Sequence, residues 1–318
     1  MKLKIFPVIA AMCLLCGCTA VEVNERMYVQ MMGVSEEEGK CLLCVQAVGT
    51  HSAPDEAPVY EYHEGRGANF RQAAADIEAE NGRQLFFGHC TLLILDEDFL
   101  TSAERLKMFM GERISPGCRV CFSNDPGEVL SKEADGSLIG ADVISGETKR
   151  LEDRGQFKEV TLKEVCENAA SMTPLLLPAA LSDDGGTVTG SAVCGGDTVL
   201  LDMNETVVAG LIAGETGAEI PVGGYTLRVD RADPSVYYQT GEKILNISLK
   251  ISGTVTELPD NADISLCTAE AEKLLTSAVS DLFAREDGSR IIEAVSGAAS
   301  DKDAALNCHV RAQAEIKG

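Results

Sequence analysis

The sequence predicts a mixed α/β (α+β) protein of three lobes, each a mixed β-sheet packed with helices, the last lobe largely antiparallel. Three observations predict it. From Tyr28 to Leu130, runs with strand character alternate with runs at helical spacing, an order that lays helices against a mixed sheet. Two apolar runs, Leu175 to Leu181 and Val188 to Cys194, flank Ser182-Asp183-Asp184-Gly185-Gly186, a hairpin signal. Near the C-terminus Ile247, Leu249, Ile251 and Val255 alternate with Asn246, Ser248, Lys250 and Ser252, the pattern of a sheet solvated on one face. The expected divisions are a leader over 1–17, a first lobe over 18–136, a middle lobe over 137–222 and a C-terminal lobe over 223–318.

Taken in order, Tyr28 to Val34 and Cys41 to Val48 read as two strands around the polar turn Ser35 to Gly39, a hairpin pattern. His51 to Arg66 is polar and irregular and predicts a loop, with one short extended piece at Val59-Tyr60. Phe70, Ala73, Ala74 and Ile77 recur at helical spacing before the stop signal Asn81-Gly82. Gln84 to Leu95 predicts one buried strand, and Phe99, Ala103, Leu106 and Met110 one face of a helix ending at Ser115-Pro116-Gly117. Arg119 to Phe122 follows as a strand, and Asp125-Pro126 opens a short helix through Leu130. Lys132 to Gly140 is the polar boundary between the first two lobes, and Thr161 to Ala170 a further helix. In the last lobe a helix buries Ala271, Leu274, Leu275, Ala278, Val279 and Leu282, and Leu306 to Ile316 closes as a half-buried strand.

The N-terminus predicts an export leader. Lys2 and Lys4 precede an apolar run from Ile5 to Leu15 that only Pro7 interrupts. That run is too short to span a hydrocarbon core, which needs roughly 20 residues as a helix, and fits a signal h-region. Leu15-Cys16-Gly17-Cys18 then fits a lipobox, in which the Cys18 thiol takes a diacylglycerol and becomes the new N-terminus. The competing reading is an ordinary signal peptide that happens to end in cysteine, but no A-x-A-like site offers a better cut. Two or three acyl chains would make the attachment effectively permanent. No later stretch approaches 18 apolar residues, so the lipid on Cys18 is the expected membrane anchor.

Composition excludes several classes. The formal charge is −23, and loss of the leader removes two lysines and no acid. So acidic a chain repels phosphate backbones and anionic headgroups, so no nucleic-acid partner is expected. Trp is absent and aromatics make up 5%, which disfavours a carbohydrate platform of stacked rings. Twelve cysteines include Cys13, Cys16 and Cys18 of the leader and lipobox, leaving nine. Cys41-Leu-Leu-Cys44 and Cys118-Arg-Val-Cys121 have the spacing of two zinc half-sites. Both pairs fall on expected strands, however, where residues three apart face opposite sides, and neither has the Gly or Pro of a tight turn. No metal is expected, and these thiols read as small buried hydrophobes.

Catalytic signatures are missing. The chain contains no G-x-S-x-G, G-x-x-x-x-G-K-[ST], H-E-x-x-H or EF-hand loop, and no cofactor is expected beyond the lipid on Cys18. His51 and His63 fall in the expected loop, and His309 on the polar side of the last strand. Asp183 and Asp184 read as solvated turn acids. His89, between Phe86-Phe87-Gly88 and Leu92 to Leu95, reads as a hydrogen-bonded core histidine in a buried strand, with a contact residue at the strand's end as the alternative.

The order of segments carries a resemblance. After the lipobox come Glu22-Val23-Asn24-Glu25, Met31-Met32-Gly33-Val34-Ser35 to Gly39 and the strand Cys41 to Val48. The Phe70 to Ile77 helix and Gly82-Arg83-Gln84-Leu85-Phe86-Phe87-Gly88-His89 follow, and later Gly190-Ser191-Ala192-Val193-Cys194-Gly195-Gly196-Asp197 and Leu201-Asp202-Met203-Asn204-Glu205-Thr206. This arrangement resembles the Ger(x)C family of spore germination lipoproteins, the C subunits of nutrient germinant receptors, over nearly the whole mature chain. Thr19-Ala20 stands where the family usually has Trp-Asp, Cys194 replaces the usual phenylalanine, and Gly288 to Asp303 is short. The resemblance implies a non-enzymatic three-lobed α/β protein on the outer face of the spore's inner membrane. It implies an integral A subunit and a permease-like B subunit as partners, with His89, Glu22 and Asn24 as structural or interface positions. Two other classes are weighed against it. A solute-binding lipoprotein of a transporter would show two similar lobes, and no repeat is visible. A lipid-anchored hydrolase would need a nucleophile with a base.

Overall fold

The computed structural model describes residues 25–49, 59–134, 137–138, 141–156, 158–181, 187–239, 244–257, 264–297 and 307–317. The described residues open with β1 (Arg26–Glu37), β2 (Lys40–Val48), β3 (Tyr60–Gly67), α1 (Phe70–Asn81) and β4 (Gln84–Phe86). A single 3-10 turn, Phe87–His89, leads to β5 (Leu92–Leu95), α2 (Glu97–Leu100), α3 (Ala103–Gly111), β6 (Arg119–Phe122) and α4 (Pro126–Ser131). The hairpin β7 (Glu133–Ala134) and β8 (Ser137–Leu138) precedes α5 (Ala141–Asp153), α6 (Leu162–Ser171), β9 (Leu175–Ala180), β10 (Val188–Cys194) and β11 (Val199–Asp202). The last part holds α7 (Met203–Ile212), β12 (Glu219–Val222), β13 (Tyr225–Gln239), β14 (Ile244–Glu257), α8 (Ile264–Phe283), α9 (Gly288–Ser296) and β15 (Asn307–Lys317).

Local chemistry accounts for most of these boundaries. The β1–β2 hairpin turns on Glu38 and Gly39, both at positive φ (51° and 76°), the backbone that matches strand twist. Asn69 caps α1, which stops at Gly82 in the left-handed region (φ 66°). Thr161 with Glu164 and Asp202 with Glu205 form capping boxes that start α6 and α7, each satisfying otherwise unpaired N–H groups. The helix expected around Phe99 and Leu106 is two helices, because Ser102 leaves the helical backbone and caps α3 through Arg105 N.

The large sheet has the order β11-β10-β9-β6-β5-β1-β2-β3, with β4 also on β1. One face packs on α1, α2, α3 and α6 through Phe70, Ile77, Phe99, Phe109, Leu162 and Val165. The other face meets α4 and α5 through Val129, Leu130, Ile144 and Leu151. Cover on both sides explains why Cys41 to Val45 of β2 and all of β5 read as unbroken apolar runs. The strands expected in separate first and middle lobes share this sheet, since β6 pairs with β9 at Phe122 and Ala179. The polar segment expected to divide them holds the β7–β8 hairpin.

The second sheet has the order β12-β13-β14-β15. Its β12–β13 and β13–β14 pairs are antiparallel, while β14 and β15 run parallel. A helical crossover, α8 with α9, separates β14 from β15, and such a connection returns the chain in the same direction. α8 buries Cys267, Ala271, Leu275, Val279, Leu282 and Phe283 on this sheet; Leu274, expected inside, is 37% exposed. α7 is apolar nearly all round, burying Thr206 to Ile212, because it lies between β10 of the large sheet and β13 with α8 and α9 of the smaller one. Arg285 adds a polar tie, pairing with Glu205 at 2.7 Å and Asp287 at 2.9 Å.

The second half of the expected loop, from Tyr60 on, is a strand. β3 pairs with β2 over its full length, and α1 packs directly on it. A Cβ at Gly65 would lie 2.3 Å from the Ala73 carbonyl oxygen, and one at Gly67 2.5 Å from Ala73 N. The polar residues that suggested a loop fit an edge strand with one solvated side.

Candidate functional site

Parallel pairing places the first residues of β1, β4, β5 and β6 at one end of the large sheet. There Tyr28 stands in register with Phe86. The 3-10 turn that follows brings His89 back onto both rings, and all three ring centres lie 5.6 Å apart. The Arg26 guanidinium sits 5.2 Å from the centre of the Phe86 ring, within cation–π range. Gly88 makes the turn possible, since a Cβ there would come within 2.7 Å of the Phe86 ring.

His89 is exposed. This corrects the expectation of a core histidine in a buried strand. Gln84 to Leu95 is not one strand: β4 continues on β1, the 3-10 turn intervenes, and β5 re-enters the sheet. Thr91 N anchors the restart on the Gln30 carbonyl at 2.9 Å. Apolar content alone could not show the break, because Phe86 and Phe87 are needed at the end of the sheet as well as in its core.

Two open grooves flank the cluster. One, of about 230 Å³, is lined by Arg26, Gln84, Phe86, Phe87, Glu112 and Arg113. The other, of about 590 Å³, runs past Gln30, His89, Cys90, Cys118, Arg119 and Glu159. Arg119 is held by Glu159 at 2.9 Å, Arg83 by Glu61 at 2.7 Å and Arg71 by Glu112 at 2.5 Å. Among the described residues Arg26 and Arg113 have no carboxylate at ion-pair distance.

The C-x-x-C pairs divide as strand geometry requires. Cys41 and Cys118 lie in the core on one side of the large sheet, Cys44 and Cys121 in the core on the other. Burial pushes the Cys41 thiol up to about 11, and those of Cys44 and Cys121 up to about 12. Contact with Cys90, sulfur to sulfur at 3.9 Å, and burial also push Cys118 up. Such thiols stay protonated at neutral pH and are poor nucleophiles. Among the described residues no group of three or more His, Cys, Asp or Glu could hold a metal.

Of the residues singled out by sequence, Cys18, Glu22 and Asn24 lie outside the described residues, as do the leader, His51, Asp183 and Asp184. His63 belongs to β3 and lies 3.5 Å from Glu61, the partner of Arg83. His309 is exposed on β15. That Arg26 and Tyr28 join Phe86 at His89 carried no sequence signal, because only the long-range β1–β4 register brings them there. The arrangement offers aromatic faces, guanidinium groups and open grooves, which suit contact with another surface.

Residues 19–179 match the description "spore germination protein N-terminal domain", and the chain belongs to that family. The solved structure titled "Crystal Structure of the GerBC protein" has the same fold, with a TM-score of 0.50 over 90% of this chain and 97% of that one at 12% identity. No curated protein sequence matches the chain.

Proposed function

We propose that the chain is the lipid-anchored C subunit of a spore nutrient germinant receptor, acting without catalysis through contacts with integral membrane A and B subunits. Membership of the germination family carries this reading. The lipobox at Leu15 to Cys18 supports an anchor on the outer face of the membrane, and among the described residues no helix is long and apolar enough to cross a bilayer. In this reading the exposed cluster at the start of β1 serves as a contact site, its aromatic rings and the Arg26 guanidinium lying beside open grooves. The only non-protein group in this reading is the lipid on Cys18. By holding the ectodomain beside its partners, the lipid raises its effective concentration toward the millimolar range.

Spores lacking this chain test the proposal. They should lose the germination response to the nutrient of this receptor, regain it with the wild-type gene, and regain little with Cys18→Ala. An undiminished response to every nutrient in the deletion strain would refute the receptor role, and full rescue by Cys18→Ala would refute the lipid's part in it.

A further inference from the structure

We propose that the end of the large sheet bearing Arg26, Tyr28, Phe86 and His89 rests on the lipid headgroups of the membrane that holds the anchor. The proposal builds on the lipid-anchored reading above. Seven residues separate Cys18 from Arg26, and an extended chain covers at most about 28 Å over those eight steps. A compact chain of this length has a radius of gyration of about 19 Å. The tether therefore enters the fold at the start of β1 and keeps that end near the bilayer surface.

The chemistry of that end suits the headgroup layer. Tyr28 and Phe86 are half-buried rings, and aromatic side chains settle at membrane–water interfaces. Arg26 stacks on Phe86, and Arg113 lines the adjoining groove. Neither is neutralised by a carboxylate among the described residues, and a guanidinium matches phosphate oxygens in a bidentate fork. The chain as a whole is strongly acidic, with a net charge of −23, so an anionic bilayer repels most other approaches. The lipid supplies retention; the cluster supplies orientation.

The chain contains no Trp, so a single introduced Trp is an unambiguous reporter. The full lipidated protein is reconstituted into phosphatidylglycerol–phosphatidylcholine vesicles with brominated acyl chains, which quench only nearby indoles. Phe86→Trp and His89→Trp should each lose about half their emission or more and shift to the blue. Lys40→Trp lies beside Glu37 at the opposite end of β1, roughly 30 Å along the strand from Phe86, and should be unaffected. Arg26→Glu combined with Arg113→Glu should abolish most of the quenching, with an unchanged circular dichroism melt showing that the variant is folded. Vesicle-bound protein in which both reporters stay unquenched would overturn the proposal and turn this end toward a protein partner. Co-sedimentation that depends on Cys18 reads the anchor separately. Protein that never pellets overturns the anchored reading and this orientation together, whereas pelleted, unquenched protein overturns the orientation alone.

Discussion

At the scale of single residues, glycine placement separates positions that the fold needs from positions it merely tolerates. Gly65 lets α1 lie against β3, with Ala73 O and Ile77 Cγ1 only 2.3 Å and 2.6 Å from where its Cβ would be. Gly65→Ala must push a helix off a strand, and it should destabilise the protein by about 1–3 kcal/mol. Gly146 lies exposed within α5, with nothing within 4 Å of a built Cβ. Gly146→Ala should therefore stabilise by about 0.5–1 kcal/mol, since glycine gives up more backbone freedom on folding. Urea denaturation of both variants is the check, and equal effects of the same sign would contradict the α1–β3 packing. The helix was legible in the sequence from Phe70, Ala73 and Ile77, but its strand partner was not. Tyr60 to Gly67 mixes charges, glycines and tyrosines, and only pairing with β2 reveals a strand.

At the scale of elements, the Glu61–Arg83 pair joins β3 to the turn that links α1 and β4. The Arg83 hydrogen bond and charge, against some burial and with help from His63, hold the Glu61 carboxyl below the usual carboxylate range. A carboxyl lowered in the folded state contributes stability above its unfolded value of about 4.3 and loses it as the pH falls through the folded value. Arg83→Gln should then destabilise at neutral pH by no more than about 1 kcal/mol, because the pair is partly solvated. The difference from wild type should shrink as the pH is taken from neutral into acid, through the folded carboxyl's titration. Urea midpoints across that range decide it, and a constant difference would mean that Arg83 acts through packing alone. Element types were most readable where one periodicity prevailed, as in β14 and α8. They were least readable where an apolar run served two purposes, as in Gln84 to Leu95, or where no periodicity stood out, as in α7, which is buried nearly all round between the two sheets.

At the scale of the whole molecule, the division expected at residue 136 is absent because β6 and β9 meet in one sheet across it. A polar, glycine-bearing stretch marks a surface hairpin as readily as a domain linker, and local composition does not distinguish them. The order of motifs was more informative than any single motif, and it led to the germination family. The aromatic cluster, by contrast, depended on a register that no local pattern encodes. The central claim, that this chain is one subunit of a membrane receptor, is tested most directly by isolating the tagged protein from spore membranes in mild detergent and identifying what accompanies it. Two multi-pass membrane proteins, in amounts comparable to the tagged chain, are the predicted result. Recovery with a transporter's permease and ATPase, or with no membrane protein at all, would contradict it.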